Sequence, residues 1–157
     1  MYRKIEEELL KWKNDISRKP LILNGARQVG KTYILKEFGN KYYEKVAYIN
    51  MDKNERMKKL FYDFDTERLI QGFKAETSVS IEEENTLIIL DEIQEIPEAI
   101  SSLKYFCENA RKYHIAVAGS FLGMNIHSGI SFPTRKSKFL KFVSNGLYRI
   151  FNCSWRK

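Results

Sequence analysis

The sequence predicts an α/β protein in which helices cover both faces of a parallel sheet, a three-layer αβα arrangement. Short apolar segments alternate along the chain with amphipathic segments of helical period, which is typical of repeated βαβ units. The segment TLIILDEI, residues 86–93, contains a continuous apolar run, as expected for a strand that is covered on both faces. Right-handed crossovers would place the intervening helices on both sides of the sheet.

Each element follows from apolar spacing and from glycine or proline near its ends. In the first helix, Ile5, Leu9 and Trp12 share one face. Gly39 is expected to end the helix that begins at Lys31, and Pro97 to begin a long helix. The predicted order is a helix at 2–13, a strand at 21–24, a helix at 31–38, a strand at 46–50, an amphipathic segment at 54–64, a short helix at 66–73, a loop at 74–85, a strand at 86–93, the helix from Pro97, a strand at 114–120, and a short strand with some helix within 139–151.

Size and composition fit one globular domain of ordinary apolar content. The longest apolar runs, such as residues 87–90, are far too short to span a bilayer, and the charged start MYRKIEEELL lacks the apolar stretch of a signal peptide. Cys107 and Cys153 have no metal-binding spacing. We therefore expect a cytoplasmic protein without a membrane partner, whose two thiols are inert.

The net charge of +7 lies in one segment of the chain. Residues 134–157 contain seven basic residues and no acidic one, whereas the rest of the chain is balanced. Such a segment can bind nucleic acid by releasing counterions from phosphates, so a basic nucleic-acid-binding module is one alternative, although the neutral body does not support it. Tyr42, Tyr43 and Tyr48 are expected to pack in the core or on the surface rather than to stack on bases, because no basic stripe interleaves them.

A glycine-rich turn between the first strand and the second helix carries the pattern GxxxxGK[ST]. Its glycines allow backbone conformations that point amide hydrogens at phosphate oxygens, and the helix N-terminus adds partial positive charge. Lys31 is placed to reach the β- and γ-phosphates, and the Thr32 hydroxyl to ligate Mg²⁺. The alternative is a tight turn with an exposed lysine. The residues predicted to bind the nucleotide are Gly25, Ala26, Arg27, Gln28, Val29, Gly30, Lys31 and Thr32.

Two acids, Asp91 and Glu92, follow an apolar run at the carboxyl end of a predicted strand, where open α/β sheets bind ligands. We assign Asp91 to the magnesium, directly or through a water, and Glu92 to the attacking water as its base. The alternative is a pair of solvated acids. Ser120, at the end of the next strand, would hold the attacking water or the γ-phosphate, or would cap a helix that begins at FLGMN. The predicted catalytic residues are Lys31, Glu92 and Ser120, and the predicted metal ligands are Thr32 and Asp91.

Three segments together resemble the prokaryotic AAA-superfamily ATPases, whose full-length members pair an N-terminal ATPase domain with a C-terminal domain of unknown function. They are residues 20–39, which include GARQVGKT, residues 87–106, which include LDEIQ, and residues 115–123. The resemblance covers residues 1–133 and implies a P-loop NTPase fold that binds ATP and Mg²⁺. It also implies a Walker A motif at Gly25–Thr32, a Walker B motif at Asp91 and Glu92, a sensor-like Ser120, and a loop strand beside the strand 114–120.

The resemblance ends after Pro133, so residues 1–133 are predicted to be the ATPase domain and residues 134–157 a basic tail. One hypothesis for the tail is a shifted reading frame or a decayed gene, which would leave the chain truncated and the fold incomplete. If residues 139–143 did not form a fifth strand, the loop strand would be an exposed apolar edge. Groups that complete an AAA-type site would then come from a missing domain or from a neighbouring copy in a homo-oligomer, and Arg135 is the nearest candidate for an arginine finger. A nucleotide-binding remnant without hydrolysis is therefore a second alternative.

Overall fold

One sheet runs through the whole of the described structure. The computed structural model describes residues 2–26, 30–120, 138–142 and 148–151. The elements are α1 (Tyr2–Asn14), β1 (Leu21–Gly25), α2 (Lys31–Tyr42), β2 (Lys45–Asn50), α3 (Glu55–Leu60), α4 (Thr66–Thr77), β3 (Thr86–Asp91), a short 3₁₀ turn (Ile93–Glu95), α5 (Pro97–Asn109), β4 (His114–Gly119), β5 (Lys138–Phe142) and β6 (Tyr148–Phe151).

The sheet has six strands in the order β2-β3-β4-β1-β5-β6. All neighbouring pairs are parallel except β5 and β6, which are antiparallel. β1 lies beside β4, with Leu21 opposite Ala116, as the resemblance implies. The predicted α/β class is therefore confirmed.

Two separate apolar cores lie on the two faces of the sheet, which confirms the three-layer arrangement. On one face, α1 and α2 pack on alternate residues of β1, β3 and β4. On the other face, α3, α4 and α5 pack on the intervening residues of the strands. Among the described residues, no helix combines the length and the apolar character that a membrane crossing needs.

The predicted end of α2 at Gly39 is wrong, because the helix continues to Tyr42. A Cβ added at Gly39 would lie 2.6 Å from Cγ2 of Val46 and 3.1 Å from Cδ2 of Leu87. Gly39 is buried where α2 passes close to Val46 of β2 and Leu87 of β3, so this glycine allows close packing and does not terminate the helix.

The loop predicted at 74–85 begins later than expected, because α4 includes its first four residues and ends at Thr77. The hydroxyl of Thr77 donates to the carbonyl of Phe73 at 2.7 Å, and Ser78 then adopts a left-handed conformation that ends the helix. The amphipathic segment 54–64 contains a shorter helix, α3, whose first turn is capped by the side chain of Asn54.

The short strand and helix expected within 139–151 are replaced by two strands among the residues that the structure describes there. β5 pairs in parallel with β1, with Ile22 opposite Phe139, and so supplies the fifth parallel strand. The loop strand is therefore not an exposed edge, because its main chain is paired on both sides.

A buried polar pair lies at the amino end of the sheet, beneath α1. The Tyr43 hydroxyl and Nδ1 of His114 are 2.6 Å apart, and the ring of Trp12 meets His114 edge-on at a centroid distance of 5.9 Å. His114 is only 3% exposed. Burial, with the nearby positive charges of Arg18 and Lys13, lowers the pKa of His114 to about 3. This histidine is therefore a neutral core residue at physiological pH.

Candidate functional site

The described residues of the predicted site lie together at the carboxyl edge of the sheet, because α2 connects β1 to the distant strand β2. β2 lies three strands away from β1, so α2 must cross over β4 and β3 on its way. The start of α2 thus lies above the end of β3, and Thr32 contacts Asp91 across 59 positions of sequence.

The turn before α2 depends on the backbone conformation of Gly30. This residue caps α2 with φ of 89° and ψ of 15°, in the left-handed region that glycine occupies without strain. A Cβ at this position would meet no atom within 4 Å, so conformation rather than space requires the glycine. Gly25 ends β1 and Ala26 is exposed, whereas Arg27, Gln28 and Val29 lie outside the described residues.

Lys31 lies within its own loop instead of extending into solvent. It is only 7% exposed, and its Nζ donates to the carbonyls of Gly25 at 2.7 Å and of Ala26 at 2.6 Å. Burial lowers the pKa of Lys31, and the charges of Glu92 and Asp91 partly oppose that effect. A tight turn with an exposed lysine does not fit this geometry.

Asp91 accepts three hydrogen bonds and is 5% exposed. The hydroxyls of Thr32 and Tyr48 donate to the same oxygen, Oδ2, at 2.6 Å and 2.7 Å. The main-chain amide of Glu92 donates to the other oxygen, Oδ1, at 2.9 Å. This carboxylate is therefore held in one orientation, which does not fit the alternative of a solvated acid.

Glu92 is connected to the end of β4 through Gln94. The main chain of Glu92 is left-handed, with φ of 53°, which is uncommon for a residue with a side chain. Nε2 of Gln94 donates to Oε2 of Glu92 at 2.5 Å, and the amide of Ser120 donates to Oε1 of Gln94 at 3.3 Å. Ser120 thus lies near Glu92, but the helix that it was expected to cap falls outside the described residues.

Sequence reasoning missed two residues of this site, Tyr48 and Gln94. Tyr48 lies opposite Ile89, two positions before Asp91, so its side chain is on the same face as that carboxylate. This placement could have been found only from the pairing of β2 with β3, since Tyr48 lies in an otherwise ordinary strand. Gln94 belongs to the LDEIQ segment, but spacing alone does not show that its amide reaches Glu92.

The sheet order, and a glycine-capped helix that follows an interior strand, define the P-loop class of nucleotide-binding α/β domains. A family model described as an AAA domain matches residues 17–145. The chain therefore belongs to the AAA domain family, and the match includes β5.

The solved structures that are similar to the chain include the following two. The Aeropyrum pernix ORC1 protein in complex with DNA is 15% identical, with a TM-score of 0.54, over 90% of this chain and 43% of that one. C. elegans PCH-2 is 17% identical, with a TM-score of 0.46, over 92% of this chain and 40% of that one. The chain spans less than half the length of either protein, and at this identity the ORC1 likeness shows the fold alone. No curated protein matches the chain.

Proposed function

We propose that the chain binds ATP with Mg²⁺ at the carboxyl edge of its sheet and hydrolyses it to ADP and phosphate. The observation that carries this proposal is the 2.6 Å hydrogen bond from the Thr32 hydroxyl to Asp91, next to the buried Lys31. Because the hydroxyl proton is directed at Asp91, the lone pairs of Oγ1 are free for a cation. Hydroxyl and carboxylate oxygens are ligands that Mg²⁺ prefers, so the donor set fits this metal.

The start of α2 supplies the groups that would hold the phosphates. Gly30 has no side chain to cap the helix, so the first-turn amides of α2 are left for an anion. The Lys31 ammonium, now on the carbonyls of Gly25 and Ala26, would form stronger bonds to phosphate oxygens, because both partners would then be charged. The main-chain amides of Arg27, Gln28 and Val29 would complete the loop in this proposal.

Glu92 is the residue that we assign to the hydrolytic step. Its carboxylate would accept a proton from a water whose oxygen attacks the γ-phosphorus, while the bond from that phosphorus to the bridging oxygen breaks and ADP leaves. Gln94 would orient this carboxylate, and Ser120, beyond the end of β4, would hold the water or the γ-phosphate. Mg²⁺, when bound, would neutralise the negative charge on the phosphate oxygens.

A neighbouring copy of the chain, or another domain, would complete the site in the way that the resemblance to AAA-superfamily ATPases implies. Arg135, the nearest candidate by sequence, lies outside the described residues. Nucleic-acid binding would use a different part of the chain, the basic residues of 134–157, and is not needed for the reaction proposed here.

Calorimetric titration with ATP, with and without Mg²⁺, tests the binding step. We expect Lys31→Ala to weaken Mg-ATP binding at least about tenfold, since it removes a charged partner of the phosphates. Lys41→Ala is the matched control, because this exposed lysine lies at the far end of the same helix and pairs with Glu6. If the folded protein does not bind millimolar Mg-ATP, or if both variants bind like the parent, the proposal is wrong.

Phosphate release from the same samples tests hydrolysis separately. We expect Glu92→Gln to bind ATP normally and to turn it over about 100-fold more slowly, since general-base catalysis contributes roughly 10²–10⁴-fold. Glu98→Gln, an exposed acid in the first turn of α5, is the control and should keep the parent rate. Equal turnover by the parent and Glu92→Gln would leave ATP binding intact but would overturn the hydrolytic part of the proposal.

A further inference from the structure

We propose that Tyr48 is a positioning residue for the magnesium site. Its hydroxyl holds the Asp91 carboxylate in place and thereby sets the Mg²⁺ concentration at which ATP binds tightly. This inference rests on the proposed Mg-ATP binding. Tyr48 lies outside the nucleotide-binding sequence pattern, because it is on β2 and not on the loop or on β3.

Asp91 accepts hydrogen bonds both from Thr32, the other proposed metal ligand, and from Tyr48. Tyr48 on β2 and Thr32 on α2 both donate to Oδ2, at 2.7 Å and 2.6 Å. The Glu92 amide holds Oδ1. Three donors on two oxygens determine both the position and the plane of a carboxylate. The loss of Tyr48 leaves each oxygen with a single donor, so the carboxylate is held less firmly and can shift toward those two donors.

The phenol of Tyr48 is itself held in place by its neighbours. Nζ of Lys36, one turn after Thr32 on α2, lies 3.7 Å from the centroid of the Tyr48 ring. The half-buried ring packs against the core between α2 and the sheet. These contacts keep the phenol directed at Asp91, where its hydroxyl donates to Oδ2.

The effect of Tyr48 is confined to the metal-dependent part of binding. Its hydroxyl contacts Asp91, whereas Lys31, the residue assigned to the phosphates, bonds to Gly25 and Ala26. Without the phenol, Asp91 would turn toward its remaining donors and change the direction in which the Thr32 hydroxyl presents its lone pairs. Residues that orient a metal's ligands in this way are typically worth about 10–100-fold in metal affinity or activity.

The test measures ATP affinity of the full chain by calorimetry over a series of Mg²⁺ concentrations and in excess EDTA. Mg²⁺ is expected to increase ATP affinity, and the concentration that produces half of this increase is the quantity compared. For Tyr48→Phe we expect that concentration to rise about tenfold, while ATP affinity in EDTA stays unchanged. Tyr42→Phe is the matched control, since it removes another tyrosine–carboxylate hydrogen bond, to Glu6, away from this site. It should leave the Mg²⁺ dependence unchanged.

A double-mutant cycle shows whether Tyr48 acts through Asp91. In an Asp91→Asn background, Tyr48→Phe should cause no further change in Mg²⁺ dependence, because the group that it orients has lost its charge. An additive effect would overturn the inference. Tyr48→Leu, measured in parallel, separates the hydroxyl from the ring: a shift with leucine but not with phenylalanine would assign the effect to ring packing and would also overturn it.

The outcomes for the two proposals are distinct. A parent chain without any Mg²⁺-dependent ATP binding overturns both. If the parent chain binds Mg-ATP and the Tyr48→Phe variant has the same Mg²⁺ dependence, the role of Tyr48 is wrong and the proposed function stands. An equal loss of affinity with and without Mg²⁺ would show a general structural role for Tyr48, which also contradicts the inference.

Discussion

At the scale of single residues, the face of the sheet under α1 and α2 carries a hydrogen-bonded tyrosine at each end. Tyr43 contacts His114 at the amino end, and Tyr48 contacts Asp91 at the carboxyl end. Buried polar groups are stable only when they are hydrogen-bonded, so each tyrosine brings one polar group into an otherwise apolar layer. In the part of the chain that the structure describes, the carboxyl end combines its pair with a helix N-terminus and the buried Lys31, and the candidate site lies there.

The chemistry of Lys31, Thr32 and Asp91 could be predicted from sequence, because a local pattern places them on a loop and at a strand end. Their hydrogen bonds could not. Tyr48 reaches Asp91 through the register of β2 on β3, and Gln94 reaches Glu92 through a left-handed turn at a residue other than glycine. Both depend on tertiary structure that residue spacing does not encode.

His114 makes the stability of the fold depend on pH. Its pKa is about 3 in the folded chain, against an ordinary value of 6.5, so below pH 6.5 the unfolded chain binds the proton more readily. Stability from this residue is fully present above pH 6.5 and is lost as the pH falls toward 3. We expect the free energy of unfolding to decrease by up to about 1.4 kcal/mol per pH unit between pH 6.5 and 5.

Urea unfolding of the parent and of His114→Gln at a series of pH values measures this contribution. Glutamine has no proton to gain in this window, so the variant should be less stable at neutral pH but nearly insensitive to pH between 6.5 and 5. Identical pH slopes for the two proteins would contradict a neutral, buried His114.

At the scale of elements, strand positions follow closely from the apolar runs, whereas the end of α2 does not follow from Gly39. A glycine inside a helix costs about 1 kcal/mol relative to alanine, so from sequence alone it reads as a stop. In the fold it allows α2 to approach Val46 and Leu87. A close approach between two elements is invisible in the sequence of either one.

We expect Gly39→Ala to destabilise the protein by about 1–3 kcal/mol, despite the better helix propensity of alanine, because the added methyl overlaps Val46 at 2.6 Å. Denaturant unfolding measures the change. Asn40→Ala, at the next and exposed position of α2, should be neutral or slightly stabilising. Adding Val46→Ala should recover part of the loss, since it removes the overlapping Cγ2. A Gly39→Ala variant as stable as the parent would contradict the close packing of α2.

At the scale of the whole molecule, the sheet is continuous from β2 to β6, with the loop strand β1 in its interior. The residues after Pro133 show little regular pattern, so the sequence predicts a basic tail at 134–157 with a short strand and some helix within 139–151. Whether 138–142 forms a strand depends on its pairing with β1, and strand propensity is a weak guide to such pairing. Residues 138–142 therefore belong both to the basic segment 134–157, for which nucleic-acid binding is an alternative, and to β5, which pairs with β1.

Two shortened chains test the structural role of β5. A chain that ends at residue 137 loses β5 and β6, which leaves the main chain of β1 unpaired along one side. We expect its free energy of unfolding to fall by about 1 kcal/mol for each missing main-chain hydrogen bond. It should also aggregate through the exposed edge of β1. It should bind ATP poorly, because Gly25 and the loop continue from that strand. A chain that ends at residue 151 keeps both strands, so β1 should stay paired on both sides and the chain should not show the aggregation expected of the shorter one. Thermal unfolding and light scattering compare the parent with the two shortened chains. Equal stability of all three chains would show that β1 does not need β5 as its partner and that the residues from 138 onward are dispensable for the fold.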